Sequence, residues 1–452
     1  MPRLSARELA LKALVAVEAD GAYANLALNS ILEKYKPGKL DRAFTTELVY
    51  GSLRARNTLD WALGRLLRHS LDRQTPQVRS ILRLSAYQIM FMDRVPDSAA
   101  VNEGAELARK YGHPGAVKFV NGVLRNLVRQ KGELKYPDQA EDPVGYLALV
   151  YSYPRWLVQR WLQQLGHSET VDLCRAGNEP APNTVRTNTL KTTRGDLQAR
   201  LQQEGVVAQP TKYAPEGLEL QGFLSIGAIP SFQEGLFQVQ DESSMLAGHA
   251  VSPEPGSLVI DAASAPGGKT THLAQLMNNQ GRIIAYDVHA HKLKLVEDNC
   301  QRLGVNIVET RLGDASNLPL ELTARADYVL LDAPCSGLGV LRRRPDARWR
   351  KEPGQIEELV SLQQRLLTGS ARCVRPGGVL VYSTCTVMEE ENINQWRAFL
   401  LHNPWFEPED LGPYLPARLD CGGTMAAGYV QLLPGRHGTD GFFIARMRRK
   451  RE

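Results

Sequence analysis

The apolar positions of this chain keep two different rhythms. Up to about residue 132 they recur every three to four positions, the period of helices that bury one face. Val117, Val120, Val123, Leu124, Leu127 and Val128 form one such stripe and predict a helix over Gly115–Gln130. Similar stripes predict helices over Arg42–Arg54, Val78–Met92 and Ser98–Tyr111. Ahead of them, Ser5 and Glu8 have the spacing of a capping box, with Leu4 and Leu9 placed as its hydrophobic staple. A helical bundle is the expectation for this part.

From about residue 241 the rhythm shortens. Apolar runs of strand length predict strands at Ser257–Ala262, Arg282–Asp287, Asn306–Leu312, Asp327–Asp332 and Gly378–Ser383. Tyr429–Leu433 and Gly441–Met447 follow as a late hairpin at one sheet edge. Helical stretches alternate with these runs, as a doubly wound sheet requires. Between the two regions lie a polar linker at Gly132–Pro143 and a short helix at Trp156–Leu165. Mixed patterns from about 180 to 240, including Asn183–Asn188 and Gly195–Glu204, predict a small α+β subdomain. The expected organisation is multi-domain: an all-α domain over 1–135, a linker helix and α+β subdomain over 136–240, and an α/β Rossmann-like domain over 241–452.

Composition narrows this little until charge is divided along the chain. Residues 1–135 hold 22 Lys and Arg against 13 Asp and Glu, whereas the remainder holds 32 against 36. A concentrated basic surface suits phosphate backbones, although a solvated helical surface competes with that reading. Lys118, Arg125 and Arg129 lie off the apolar stripe, where they can reach phosphates. The six cysteines include no C-x-x-C pair, so a reduced protein with no disulfide framework and no metal is expected. The first residues lack a signal-peptide core, and no apolar run approaches the roughly 20 residues that span a bilayer. A cytoplasmic protein without membrane contact, and a monomer, is the expectation.

The chemistry gathers at strand ends, where open α/β sheets bind ligands. Asp261-Ala262-Ala263-Ser264-Ala265-Pro266-Gly267-Gly268-Lys269 closes one apolar run and opens a helix near Thr270. Cys335 follows a second run as Asp332-Ala333-Pro334-Cys335, and Cys385 follows a third as Tyr382-Ser383-Thr384-Cys385. Gly268-Lys269-Thr270 also matches the close of a nucleotide P-loop, but Ala263 stands where that motif needs glycine. Asp287 ends the second strand nineteen residues past Gly268, where a carboxylate can take ribose hydroxyls. Asp314 and Asp332 follow at later strand ends. Successive carboxylates repel a triphosphate and suit a cationic, ribose-bearing ligand such as S-adenosyl-L-methionine. An RNA-stimulated ATPase and a non-catalytic RNA-binding factor remain as rival classes. These residues do not rank the two thiols.

The three motifs, Asp261–Thr270, Leu331–Gly337 and Tyr382–Thr386, resemble signatures of the RNA cytosine-5 methyltransferase family. The basic helical third resembles a NusB-like RNA-binding domain. Arg186-Thr187-Asn188, Val239–Ser243 and Asp440–Phe443 extend the likeness over nearly the whole chain. One departure is Ala263, where the family commonly has cysteine. The resemblance implies a class I methyltransferase that acts on carbon 5 of a cytosine in small-subunit (16S) ribosomal RNA, with a tRNA or other RNA as the alternative. It implies Cys385 as the nucleophile at carbon 6 and Cys335 as the residue that assists release. A swapped assignment stays open, because DNA cytosine methyltransferases use a Pro-Cys nucleophile. Ala263, Ser264, Ala265, Pro266, Gly267, Gly268 and Lys269 are expected to hold the cofactor's methionine end and ribose region. Asp287 is expected at the ribose, Asp314 at the adenine, and Asp332 between methyl donor and cytosine edge, with Lys269 orienting either partner. Arg186, Arg342, Arg343 and Arg344 are expected on RNA.

Overall fold

The computed structural model describes residues 4–419 and 421–451. By compactness the chain divides into one unit of Met1–Glu179 with Leu341–Arg350 and another of Pro180–Val340 with Lys351–Glu452. Among the described residues, no helix is long and apolar enough to cross a membrane.

The first unit is helical: α1 (Ala6–Ala19), α2 (Ala24–Tyr35), α3 (Lys39–Arg54), α4 (Arg56–Gly64), α5 (Pro76–Phe91), α6 (Asp97–Tyr111), α7 (Ala116–Gln130), α8 (Pro143–Val150) and α9 (Arg155–Ala176). The capping box forms at α1, where Ser5 Oγ accepts from the Glu8 amide and Glu8 accepts from the Ser5 amide. On α7 the buried residues are Ala116, Val120, Val123, Leu124 and Leu127, while Lys118, Arg125 and Arg129 face solvent. Helices α2 and α4 are not evident in the apolar pattern. The first has no side-chain N-cap, and only Ala55 separates the second from α3. Helix α9 runs well past the predicted Leu165 and is broken at Gly166, whose φ of +74° leaves the helical region. Residues 136–179 pack with the bundle: Asn57 Nδ2 donates to the Ala148 carbonyl (2.9 Å) and Thr58 Oγ1 to that of Leu149 (2.5 Å).

In the second unit, β1 (Asn183–Thr187), α10 (Arg194–Gln203), β2 (Val207–Pro210), β3 (Gly217–Gln221), α11 (Pro230–Gln233) and β4 (Phe237–Val239) build a small antiparallel sheet of order β2-β3-β1-β4. Val185, Leu197, Leu201, Leu218, Leu220 and Phe237 are its core. The large sheet follows: α12 (Glu242–Val251), β5 (Leu258–Asp261), α13 (Gly268–Leu276), β6 (Arg282–Asp287), α14 (Ala290–Leu303), β7 (Val308–Leu312), β8 (Ala326–Asp332), α15 (Pro353–Cys373), β9 (Val374–Thr384), α16 (Ile393–His402), β10 (Phe406–Pro408), β11 (Tyr429–Leu432), α17 (Pro434–His437) and β12 (Phe442–Arg449). Its order is β10-β12-β9-β8-β5-β6-β7, with β11 also on β12. The five strands from β9 to β7 are parallel, and β12 runs antiparallel to β9. Strand β10, three residues ending in proline, is too short to show any alternation.

Both sheet faces are buried, which explains runs that are apolar at every position. Val259, Ile283, Leu330, Val379 and Val381 enter one core, while Ile260, Ile284, Val329, Leu331 and Leu380 enter the other. Each such side chain contributes about 1.5–3 kcal/mol relative to exposure. From β5 the chain steps outward to β6 and β7, then returns to place β8 on the other side of β5. That reversal opens a crevice beyond the carboxyl ends of β5 and β8.

Candidate active site

The turn after β5 is shaped by glycine and held from both sides. Gly267 adopts φ +97°, where a side chain is strained, and a Cβ there would stand 3.0 Å from the Val296 Cα. The Ser264 amide and hydroxyl both donate to the Tyr286 carbonyl (2.8 and 3.0 Å), tying the turn to β6. Thr270 Oγ1 donates to Asp261 Oδ2 at 2.7 Å. Burial pushes the Asp261 carboxyl up to about 7, despite the Thr270 hydroxyl. Asp261 therefore anchors the turn from below rather than facing a ligand. At the end of β6 the half-buried Asp287 accepts the His289 amide through Oδ1 (2.9 Å). Asp314 is exposed and caps a short turn through the Ser316 amide (2.8 Å).

The two motif cysteines meet. Cys335 Sγ lies 3.3 Å from Cys385 Sγ, although the loops that carry them leave different strands, β8 and β9. Backbone contact makes the approach possible: the Gly339 amide donates to the Cys385 carbonyl (3.0 Å), and the Gly441 amide to the Gly339 carbonyl (2.9 Å). A Cβ on Gly339 would stand 2.0 Å from the Gly441 oxygen. Beneath the loops lies Glu391, fully buried. It accepts from the Ser336 amide (2.8 Å), the Ser336 hydroxyl (2.5 Å) and Gln363 Nε2 (3.0 Å). Ser336 Oγ also meets Thr386 Oγ1 at 2.8 Å, so one carboxylate organises both thiol loops.

The neighbours of the two sulfurs differ in charge. Lys269 Nζ donates to Asp332 Oδ2 (2.6 Å) and lies 5.0 Å from the centre of the Phe442 ring. Burial disfavours its ammonium, but Asp332 and Cys385 together outweigh burial and raise its pKa. Asp332 Oδ1 accepts from Ser383 Oγ at 2.8 Å. The Cys335 thiol is pushed well up by the hydrogen bond with Cys385, by burial, and by the charges of Cys385 and Glu391. A cation thus faces Cys385 and a carboxylate faces Cys335.

Other expected site residues are placed elsewhere. Arg186 is only 1% exposed and is not an RNA contact. Its guanidinium donates to Gln240, the Gly268 carbonyl (2.6 Å), Thr271 Oγ1 (3.0 Å) and Gln275 Oε1 (3.2 Å), bracing the turn and α13 from within. Burial brings it down to about 9. Arg342 is buried too; Arg343 is half-buried and Arg344 exposed. The basic run opens a segment that packs into the helical unit. There Arg348 donates to the carbonyls of Ser152 (3.0 Å) and Gly177 (3.1 Å) and lies over the Tyr153 ring, and Trp349 donates to the Leu53 carbonyl (2.7 Å). Cys174, Cys300, Cys373 and Cys421 are buried. Burial drives the first three thiols up, to about 12 for Cys174 and about 11 for Cys300 and Cys373.

Sequence reasoning missed Glu391, Ser336 and the glycine contact. Glu391 ends an acidic triplet that reads as solvated surface, and only Ser336, directly after Cys335, offers a local signal. It also expected no metal-ligand cluster, yet the fold brings Glu216, His249 and His272 together from three separate elements.

Residues 249–448 match the family model for 16S rRNA methyltransferase RsmB/F, residues 4–129 the NusB family, and residues 153–227 the ferredoxin-like domain of the RsmF/B-like methyltransferases. The chain is 38% identical to the probable ribosomal RNA small subunit methyltransferase B of Bacillus subtilis, over 100% of both chains. It is 39% identical to the protein of the same description from Synechocystis, over 99% of this chain and 100% of that one. The crystal structure of PH0851 superposes with a TM-score of 0.84 at 29% identity, covering 98% of this chain and 99% of that one. The structure of NSun6 from Pyrococcus horikoshii with SFG matches at a TM-score of 0.60 and 27% identity, covering 67% of this chain and 100% of that one.

Proposed function

The chain belongs to the family of ribosomal RNA small subunit methyltransferases B, and from that premise we propose that it methylates carbon 5 of one cytosine in 16S ribosomal RNA through a covalent bond from Cys385 to carbon 6. The observation that carries this reading is the thiol pair at 3.3 Å with unlike neighbours, Lys269 at Cys385 and Glu391 at Cys335. Carbon 5 of cytosine is a poor nucleophile until a thiolate adds to carbon 6 and makes the ring enamine-like. Only the thiolate adds. The Lys269 ammonium favours that form at Cys385, while Glu391 and the Cys385 charge keep Cys335 protonated.

The residues around the turn fit S-adenosyl-L-methionine. The glycine turn lets the backbone approach closely, and the N-terminus of α13 suits a carboxylate. Asp287 suits ribose hydroxyls, Asp314 the adenine side, and the carboxylates together suit a positive ligand; Ala263, Ser264, Ala265, Pro266, Gly267 and Gly268 line the turn. When bound, that cofactor supplies an electrophilic methyl group. Asp332, whose oxygens keep lone pairs beyond those used by Lys269 and Ser383, accepts the cytosine amino group and fixes the ring's edge.

Release also follows from the pair. Once Cys385 is bonded to carbon 6 its negative charge is gone, and with it the largest influence holding the Cys335 proton. Cys335 then loses that proton to water more easily, and its thiolate takes the C5 hydrogen as a proton, which restores the thiol. The C5–H electrons restore the C5–C6 double bond, and Cys385 leaves as thiolate. The target base must stand out of its stack for in-plane attack, which favours single-stranded or looped RNA.

Purified protein, S-adenosyl-L-methionine and 16S transcript test this directly. One cytosine should become resistant to bisulfite conversion. Methyl transfer with no protected cytosine, or protection only in a parallel reaction with tRNA, would overturn the assignment.

A further inference from the structure

We propose that Glu216, His249 and His272 bind one divalent transition-metal ion, for which Zn2+ is the best match. The inference does not depend on the methylation reading. Glu216 lies in the turn before β3, and its carbonyl accepts the Thr187 amide (2.9 Å), so the small sheet fixes its position. His249 sits in the last turn of α12, and His272 in α13, just beyond the glycine turn. One ligand atom from each residue lies within 4.8 Å of the others. His272 Nε2 is 2.8 Å from Glu216 Oε1, and His249 Nε2 is 3.0 Å from both Glu216 oxygens.

A second observation points to a ligand. His272 is fully buried, and apart from the Glu216 carboxylate at Nε2 neither ring nitrogen has a polar partner. Nδ1 is pressed against Gly248, where a Cβ would stand 2.3 Å away. Nε2 has Glu216 Oε1 at 2.8 Å. A buried polar atom left unsatisfied costs about 1–3 kcal/mol, and an ion is one of the explanations such an atom calls for. Ligands on a tetrahedral ion with bonds near 2.0 Å stand about 3.3 Å apart, with lone pairs converging on the metal rather than on each other. The three side chains here converge at 2.8 and 3.0 Å, close to that spacing.

The donor chemistry selects the ion. Two imidazole nitrogens and one carboxylate form a recognised zinc set, whereas calcium and magnesium prefer oxygen alone. His249 keeps 20% of its side chain exposed, so water can reach a fourth position. The ion would join the small sheet, α12 and α13, and α13 carries the cofactor turn at its N-terminus. Its role is a structural clamp beneath that turn.

The test uses full-length protein carrying Cys335→Ser and Cys385→Ser, which removes the thiol pair as a competing ligand. After chelator treatment it is titrated with Co2+ and then Zn2+. One equivalent of Co2+ should give saturating visible absorption of tetrahedral intensity without a sulfur charge-transfer band, and one equivalent of Zn2+ should displace it. Zn2+ should also raise the melting temperature. His249→Ala, at the partly exposed edge, and the near-isosteric Glu216→Gln should each weaken Co2+ binding by about tenfold or more while circular dichroism stays native. Absence of saturable absorption, or absorption that survives both substitutions in folded protein, overturns the proposal in favour of a plain Glu–His ion pair.

Discussion

Two sulfurs of the same residue type become chemically different through the charges that face them. Replacing Lys269 with Met removes the cation beside Cys385 and leaves a similar volume. The alkylation rate of Cys385 by iodoacetamide at pH 7 should then fall about tenfold, because less of the thiol is ionised. An unchanged rate–pH profile would show that Lys269 does not set the thiolate. A second residue ties stability to pH. Burial holds the Asp261 carboxyl at about 7 against an ordinary 3.8. Between those values the folded protein keeps a proton that the unfolded chain has lost, so stability falls as pH rises through that window. In Asp261→Asn that slope should flatten, as urea unfolding at pH 4, 5.5 and 7 will read.

At the scale of elements, the site depends on loops from separate strands being pulled into backbone contact. Gly339→Ala would drive a methyl into the Gly441 carbonyl, beside the Cys385 carbonyl. Overpacking of this kind costs about 1–3 kcal/mol and should part the thiols, lowering turnover more than it lowers cofactor affinity. Arg186→Met should do the reverse. It removes the four hydrogen bonds that brace the turn and α13 from within, and should weaken cofactor binding measured by calorimetry. The placement of Asp287, Asp332, Cys335 and Cys385 at strand ends is legible because each closes an apolar run, and a parallel sheet gathers such ends at one edge. Arg186 and Glu391 were not, because a charged residue reads as solvated until the fold supplies partners from distant segments. The late hairpin was legible, while β10 and helix α2 lacked the alternation or caps that announce an element.

For the whole molecule, the uneven charge along the chain is the clearest long-range property. Residues 1–135 carry the positive excess, and Lys118, Arg125 and Arg129 remain exposed on α7. Affinity for RNA should therefore fall steeply as salt rises, because bound phosphates release counterions. Charge reversal of those three residues to Glu should weaken binding and flatten the salt dependence. The helical bundle and the doubly wound sheet were both readable from apolar period, but Arg342 misled because its run enters the packed segment Leu341–Arg350. The covalent step itself has one direct measurement: Cys335→Ala incubated with 16S transcript and S-adenosyl-L-methionine, resolved on a denaturing gel, with the slow band mapped by mass spectrometry. A protein–RNA adduct through Cys385 to a methylated cytosine should accumulate. No adduct despite RNA binding, or a bond through any other residue, would contradict the account.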